Sequence, residues 1–236
     1  MTIPYQLVKS GRRKTIALQI KQGKVLVRAP YHLSDEFVAQ FVASKNAWLR
    51  SKLDQYSPSQ TDNICRFRNG DRLFIGGEVK TLIIDYAEKA SVNVVEQTIL
   101  VHISLRSKNT PITETELIYK VKSQLERWFR YELQQYINNR LPELIAYTGL
   151  KPNTYKVRKY RARWGSCNNK GQLSFNALLM MVPRWVVDYV IIHELCHLMY
   201  LNHSKQFWQL VEQHCPDFLS AKSWLKHHQY QLSWSD

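Results

Sequence analysis

Along residues 15–29 the apolar positions alternate with polar ones. Ile16, Leu18 and Ile20 fall on every second residue, and Val25 and Val27 resume that period after Gly23. A period of two predicts a β-hairpin that turns at Gly23. The spacing then lengthens. Between residues 34 and 53, Phe37, Val38, Phe41, Val42, Trp48 and Leu49 recur at helical intervals, behind Ser34 as N-cap and with Asp35 and Glu36 in the first turn. The polar stretch 56–63 predicts a loop. Asn69-Gly70 and Gly76-Gly77 mark turns around RLFI and EVKTLIID, and two further strands, SVNVV and TILVHIS, end near residue 104.

A long helical pattern follows. Thr113 and Glu116 have the spacing of a capping box and open a helix expected over 113–139, with Leu117, Val121, Leu125, Trp128, Phe129 and Leu133 as its buried stripe. Pro142 and Gly149 punctuate what comes next. Residues 155–164 are short and β-prone. A second strand, GQLSFNALL, follows a turn at Asn168–Gly171. Pro183 suits the first turn of a helix whose apolar residues lie on nearly every side, the pattern of a central buried helix. Two shorter helices are expected after Ser204 and Pro216. The pattern as a whole predicts an α+β fold: a β-rich part over 1–108 and a more helical part over 109–236. No flexible linker separates them, which is compatible with one compact unit.

Composition adds bounds. The chain has 236 residues, is 44% hydrophobic and is rich in aromatics, so it can bury a sizeable core. It contains no apolar run of about 18 residues, so no membrane span is expected. Its start has no apolar segment of the signal-peptide kind, and Cys65, Cys167, Cys196 and Cys215 form no CxxC pair. Reduced thiols in a cytoplasm are the simple expectation. Lys and Arg number 33 against 19 acids, a formal charge of +14. That balance makes nucleic acid a candidate partner, or else describes a charged surface with no specific anion. The segment KVRKYRAR concentrates it: Lys156, Arg158, Lys159, Arg161 and Arg163 are candidates for phosphate contacts or for guiding an acidic substrate. A solvated strand face explains them equally well.

The chemistry concentrates in IIHELCHLMYLNHS, residues 191–204. Burying an unpaired charge in an apolar helix costs several kcal/mol, and even a neutral imidazole needs partners. His193 and His197, four apart, project from one face. A divalent metal between them would take a lone pair from each ring. Glu194 follows the first of them in the His-Glu-x-x-His arrangement of zinc hydrolases, where the carboxylate serves as general base toward a water on the metal. A catalytic zinc usually has three protein ligands. His203 stands past an expected helix end at Asn202, with Ser204 able to cap the next helix beside it; His214, Glu212 and Asp217 compete for the place. Tyr200, and more remotely Arg163 and His102, are options for stabilising an oxyanion. Trp164 is expected in the core, and Gly165 permits a close backbone approach.

These residues resemble the YgjP-like family of predicted zinc metallopeptidases and, more distantly, the SprT and Spartan proteases. Four stretches carry the resemblance over nearly the whole chain: RRKTIALQI with GKVLVRAP, RARWGSC, DYVIIHELCHL, and NHSKQFWQLVEQHCPDF. The resemblance implies that His193, His197 and His203 bind one Zn2+ per chain and that Glu194 is the catalytic base. It also implies a zincin-like core in which the metal helix packs beneath a small sheet. In zincins the edge strand beside the site binds an extended peptide, which makes RWGSCNNKGQLSFN a candidate for strand addition. The expected function is a zinc-dependent metallopeptidase acting on a polypeptide or amide substrate. The alternative is a nucleic-acid-associated protein, either with a structural zinc or acting as a Spartan-like protease on DNA-bound proteins. A zinc deaminase would need a downstream PCxxC, which the chain does not have.

Overall fold

The alternating segment around Gly23 forms the expected hairpin. β2 (Ala17–Lys21) pairs antiparallel with β3 (Lys24–Ala29), and a further strand, β1 (Tyr5–Lys9), lies parallel to β3 on its other side. The helical segment divides at Lys45 into α1 (Asp35–Ser44) and α2 (Asn46–Asp54). The Ser34 hydroxyl caps α1 by accepting from the Phe37 amide at 3.2 Å. Val38, Val42 and Leu49 join Val25, Val27 and Ala29 in a small core, while Phe37 and Trp48 stay exposed. The computed structural model describes residues 3–21, 23–54, 65–105, 112–160, 163–229, 231–232 and 234. The expected loop at 56–63, and Arg161, lie outside them.

The chain divides into two compact units, Met1–Asn63 and Ile64–Asp236. The second opens with a four-stranded sheet of order β4-β5-β7-β6, made of β4 (Arg72–Ile75), β5 (Glu78–Ala87), β6 (Ser91–Val95) and β7 (Thr98–Ser104). β5 and β7 are parallel and the other pairs antiparallel. Helix α3 (Glu114–Thr148) covers it, starting at the expected capping box on Thr113. Ile99, Val101 and Ile103 of β7 share one core with Val121, Leu125 and Phe129 of α3. The change from β to α pattern near residue 108 therefore falls inside this unit. Gln124 ties the helix to the sheet, donating to the carbonyls of Ser91 at 2.7 Å and His102 at 3.0 Å.

α3 runs nine residues beyond the expected end at 139, through Pro142 to the left-handed Gly149. Proline removes one backbone bond, but Ile137, Leu141 and Leu144 continue the buried stripe, and tertiary burial outweighs the missing donor.

A second sheet follows, order β8-β10-β9, from β8 (Thr154–Arg158), β9 (Gly165–Cys167) and β10 (Gln172–Asn176). A 3-10 turn, Ala177–Met181, leads to α4 (Arg184–Cys196), which packs beneath this sheet; α5 (Lys205–His214) and α6 (Phe218–His227) complete the unit. The Gly76-Gly77 turn has a second role. Its two amides donate to the carbonyls of Met180 and Met181, and a Cβ on Gly77 would come within 2.4 Å of Pro183. Glycine there lets the turn hold the start of α4. Among the described residues no helix is long and apolar enough to cross a membrane.

Candidate metal centre

α4 is buried on nearly every side, as its composition predicts: Val186, Val187, Tyr189, Val190, Ile191, Ile192, Leu195 and Cys196 all lie in the core. Its rotation is fixed by a polar anchor that the sequence reading missed. Asp188 accepts from the Tyr136 hydroxyl at 2.6 Å and from Arg140 Nε at 3.0 Å, both on α3. Tyr136 and Arg140 sit four apart on the long helix, a spacing that signals a shared face but not its partner.

The α-helix ends at Cys196, earlier than the expected end at Asn202. The amides of Leu198 and Met199 bond three residues back, to Leu195 and Cys196, which tightens the turn, and the Tyr200 amide also reaches the Cys196 carbonyl. That turn brings the Tyr200 carbonyl to 2.9 Å from His197 Nδ1. The chain then reverses. Asn202 Oδ1 accepts from the Ser204 amide at 3.2 Å, and Ser204 caps α5 by accepting from the Phe207 amide at 3.3 Å. His203 is held between these two bonds.

The result brings His193, His197 and His203 together, with one nitrogen of each within 4.8 Å of the others. His193 Nε2 and His203 Nε2 are 3.1 Å apart. Two lone pairs facing at that distance repel and need a shared proton or a shared cation. Two ligands about 2.05 Å from a tetrahedral zinc stand about 3.3 Å apart, so the spacing suits one ion. The tautomers agree. A carbonyl only accepts, so His197 carries its proton on Nδ1 and leaves Nε2 with a lone pair. The Tyr189 hydroxyl stands 3.5 Å from His193 Nδ1 in the same supporting position. Burial, followed by repulsion from His197, His203 and Lys222, pushes His193 down to about 3. His203 is also lowered, first by burial. Neutral imidazoles are the form that ligates metal.

Aromatic rings brace the cluster. Phe207 stacks on His197 with centroids 4.4 Å apart, and Trp208 lies 5.7 Å from His193 and 5.5 Å from His203. Lys222 Nζ sits 3.9 Å over the Trp208 ring. The NHSKQFW stretch contains Phe207 and Trp208, but nothing in their spacing reveals that they wall the histidines.

Glu194 is buried, and its Oε2 has no hydrogen-bond partner among the described residues. Burial pushes the carboxyl up to about 8, against the pull of the Arg163 charge. β9 lies directly on it: a Cβ at Gly165 would be 2.5 Å from Glu194 Oε1. Trp164 packs against the core, as expected. An orphaned buried carboxyl next in sequence to a converging imidazole is the donor set a hydrolytic zinc would meet, so the residues present fit that metal.

The other candidates lie elsewhere. His214 contacts Tyr147 edge-on and Asp217 precedes α6; neither they nor Glu212 join the cluster. His102 Nδ1 is engaged by Ser91 at 2.9 Å within the first sheet. Tyr200 contributes its carbonyl, and the residue is 37% exposed. Of the basic residues, Lys156 and Arg158 share the outer face of β8, Lys159 pairs with Glu126 at 2.6 Å, and Arg163 lies 5.5 Å from the Tyr160 ring.

The YgjP-like family, described as a metallopeptidase domain, matches residues 14–228, and the chain belongs to that family. Among solved structures it is similar to the metallopeptidase zymogen of Pyrococcus abyssi abylysin, at 21% identity over 41% of this chain and 94% of that one, with a TM-score of 0.36. No curated protein matches it.

Proposed function

We propose that the chain is a zinc-dependent peptide or amide hydrolase. His193, His197 and His203 hold about one zinc per chain, and Glu194 is the general base. The observation that carries this reading is the meeting of three imidazoles on one point, with buried Glu194, whose Oε2 has no partner among the described residues, beside the first of them in sequence. Zinc held there would supply Lewis acidity, lowering the pKa of a water and polarising the substrate carbonyl. Glu194 takes a proton from that water as its oxygen bonds to the carbonyl carbon. The same carboxyl then passes that proton to the amide nitrogen. The C–N bond then breaks, releasing a carboxylic acid and an amine.

β9 supports a polypeptide as substrate. Asn176 donates to the Trp164 carbonyl at 2.8 Å and Asn168 to the Gln172 carbonyl at 3.2 Å, so the even-numbered residues of this antiparallel pair bond β10. The N–H and C=O groups of Gly165 and Cys167 therefore point to the open edge, next to Glu194. An extended chain adds to such an edge by main-chain bonds.

Glu194→Gln keeps the side chain's size but cannot accept the proton. Zinc content should be unchanged and hydrolysis should fall by about 10²–10⁴-fold. Full activity in that variant would remove Glu194 from the mechanism, and loss of zinc would make it a ligand instead.

A further inference from the structure

The metal centre leaves the outer face of the β8–β10–β9 sheet unexplained. Ser166 pairs with Ser174 and Ser174 with Lys156, so these three form one row across the strands. Tyr155, Val157, Leu173 and Phe175 point to the opposite side, into the core. The two-residue period then leaves Lys156, Arg158, Ser166 and Ser174 on the open face. With Tyr160, whose hydroxyl is 3.4 Å from Ser166 Oγ, they line a pocket of ≈ 220 Å³. No carboxylate lines it. Lys156 and Arg158 are exposed and have no ion-pair partner among the described residues, whereas the neighbouring Lys159 is taken by Glu126. A drug-sized ligand needs about 300–1,000 Å³, so this pocket suits one group rather than a whole molecule. Hydroxyls and cations without an acid are the chemistry of an oxyanion site.

The position of the pocket says what carries the oxyanion. Ser166 is the middle residue of β9, between the two residues whose backbone groups face the open edge. Cross-strand neighbours share a face. In a strand added to β9, the residue beside Ser166 projects onto the outer face, and the residues before and after it project toward Glu194.

We propose that this pocket is a subsite for an aspartate or glutamate side chain of the bound polypeptide, adjacent in that polypeptide to the residues that face Glu194. The inference rests on the reading that β9 takes an extended substrate. It assigns the site a preference for acidic segments, in keeping with a chain of formal charge +14.

The test is an array of short, β-prone synthetic peptides in which each position in turn carries Glu, Gln or Lys. It is probed with the full chain, loaded with zinc and carrying Glu194→Gln so that nothing is cleaved. At one position Glu is expected to bind about tenfold more tightly than Gln, the effect of one bond to a charged group. Lys156→Glu with Arg158→Glu should turn that preference toward Lys, and Lys156→Gln with Arg158→Gln should abolish it. Binding without charge preference, a preference that survives the reversal, or no binding at all overturns the subsite. So does a single-stranded oligonucleotide that binds through these residues with steep salt dependence while the peptides do not. Incubating the same peptides with the wild-type protein separates this inference from the reading beneath it. Cleavage without charge preference removes the subsite and leaves the hydrolase. Charge-selective binding without cleavage does the reverse.

Discussion

Glu194 fills the space where a side chain on Gly165 would be. The glycine's φ is ordinary, so the requirement is for room and not for backbone freedom. Gly165→Ala must push β9 or the carboxyl aside, at a cost of about 1–3 kcal/mol for overpacking. Zinc content should be retained while hydrolysis falls about tenfold or more; kinetics and metal analysis on the same preparation check this, and unchanged activity would mean that Glu194 needs no fixed position. The sequence shows that a close approach is allowed at Gly165, but not what approaches. It places His193, His197 and Glu194 on one helix by spacing alone. It does not show the Tyr200 carbonyl that orients His197, because that bond depends on a turn tightening at Leu198, which apolar periodicity does not encode.

At the scale of elements, the most legible feature was the buried character of α4, since an apolar residue on every side leaves no solvated face. Least legible was what sets its rotation. Asp188 interrupts the apolar run, and its partners Tyr136 and Arg140 belong to another helix. Removing that carboxylate leaves the Tyr136 phenol, already pushed up by burial, without its acceptor, and leaves the half-buried Arg140 guanidinium with Glu143 alone. Asp188→Ala is expected to lower stability by about 1–3 kcal/mol, discounted from a fully buried pair because Arg140 is partly exposed. Asp188→Asn should lose less. Denaturant melts measure both, and an Ala variant as stable as wild type would show that packing alone orients α4. The length of α3 was underestimated for a related reason. Pro142 is a strong local stop signal, and the core contacts of Leu141 and Leu144 that override it are tertiary.

Across the whole molecule, the α+β class followed from periods of two giving way to periods of three and four. The division into units did not follow, because the change of period near residue 108 and the change of core near residue 63 are different events. β7 and α3 differ in period yet bury the same core. β1 was missed because five residues of alternation beside the N-terminus say little until β3 is there to pair with them. The central claim joins this fold to a reaction: a second unit whose helix end and chain reversal bring His193, His197 and His203 to one metal for hydrolysis. It is tested most directly by stripping the protein of metal, adding zinc stepwise, and following bound zinc and peptide hydrolysis together in wild type and His203→Ala. Hydrolysis by the wild type should begin at zero and saturate at about one zinc per chain, while His203→Ala should bind zinc at least about 100-fold more weakly and stay inactive. Hydrolysis by the metal-free protein, or a His203→Ala chain that takes up and uses zinc as the wild type does, would contradict the account.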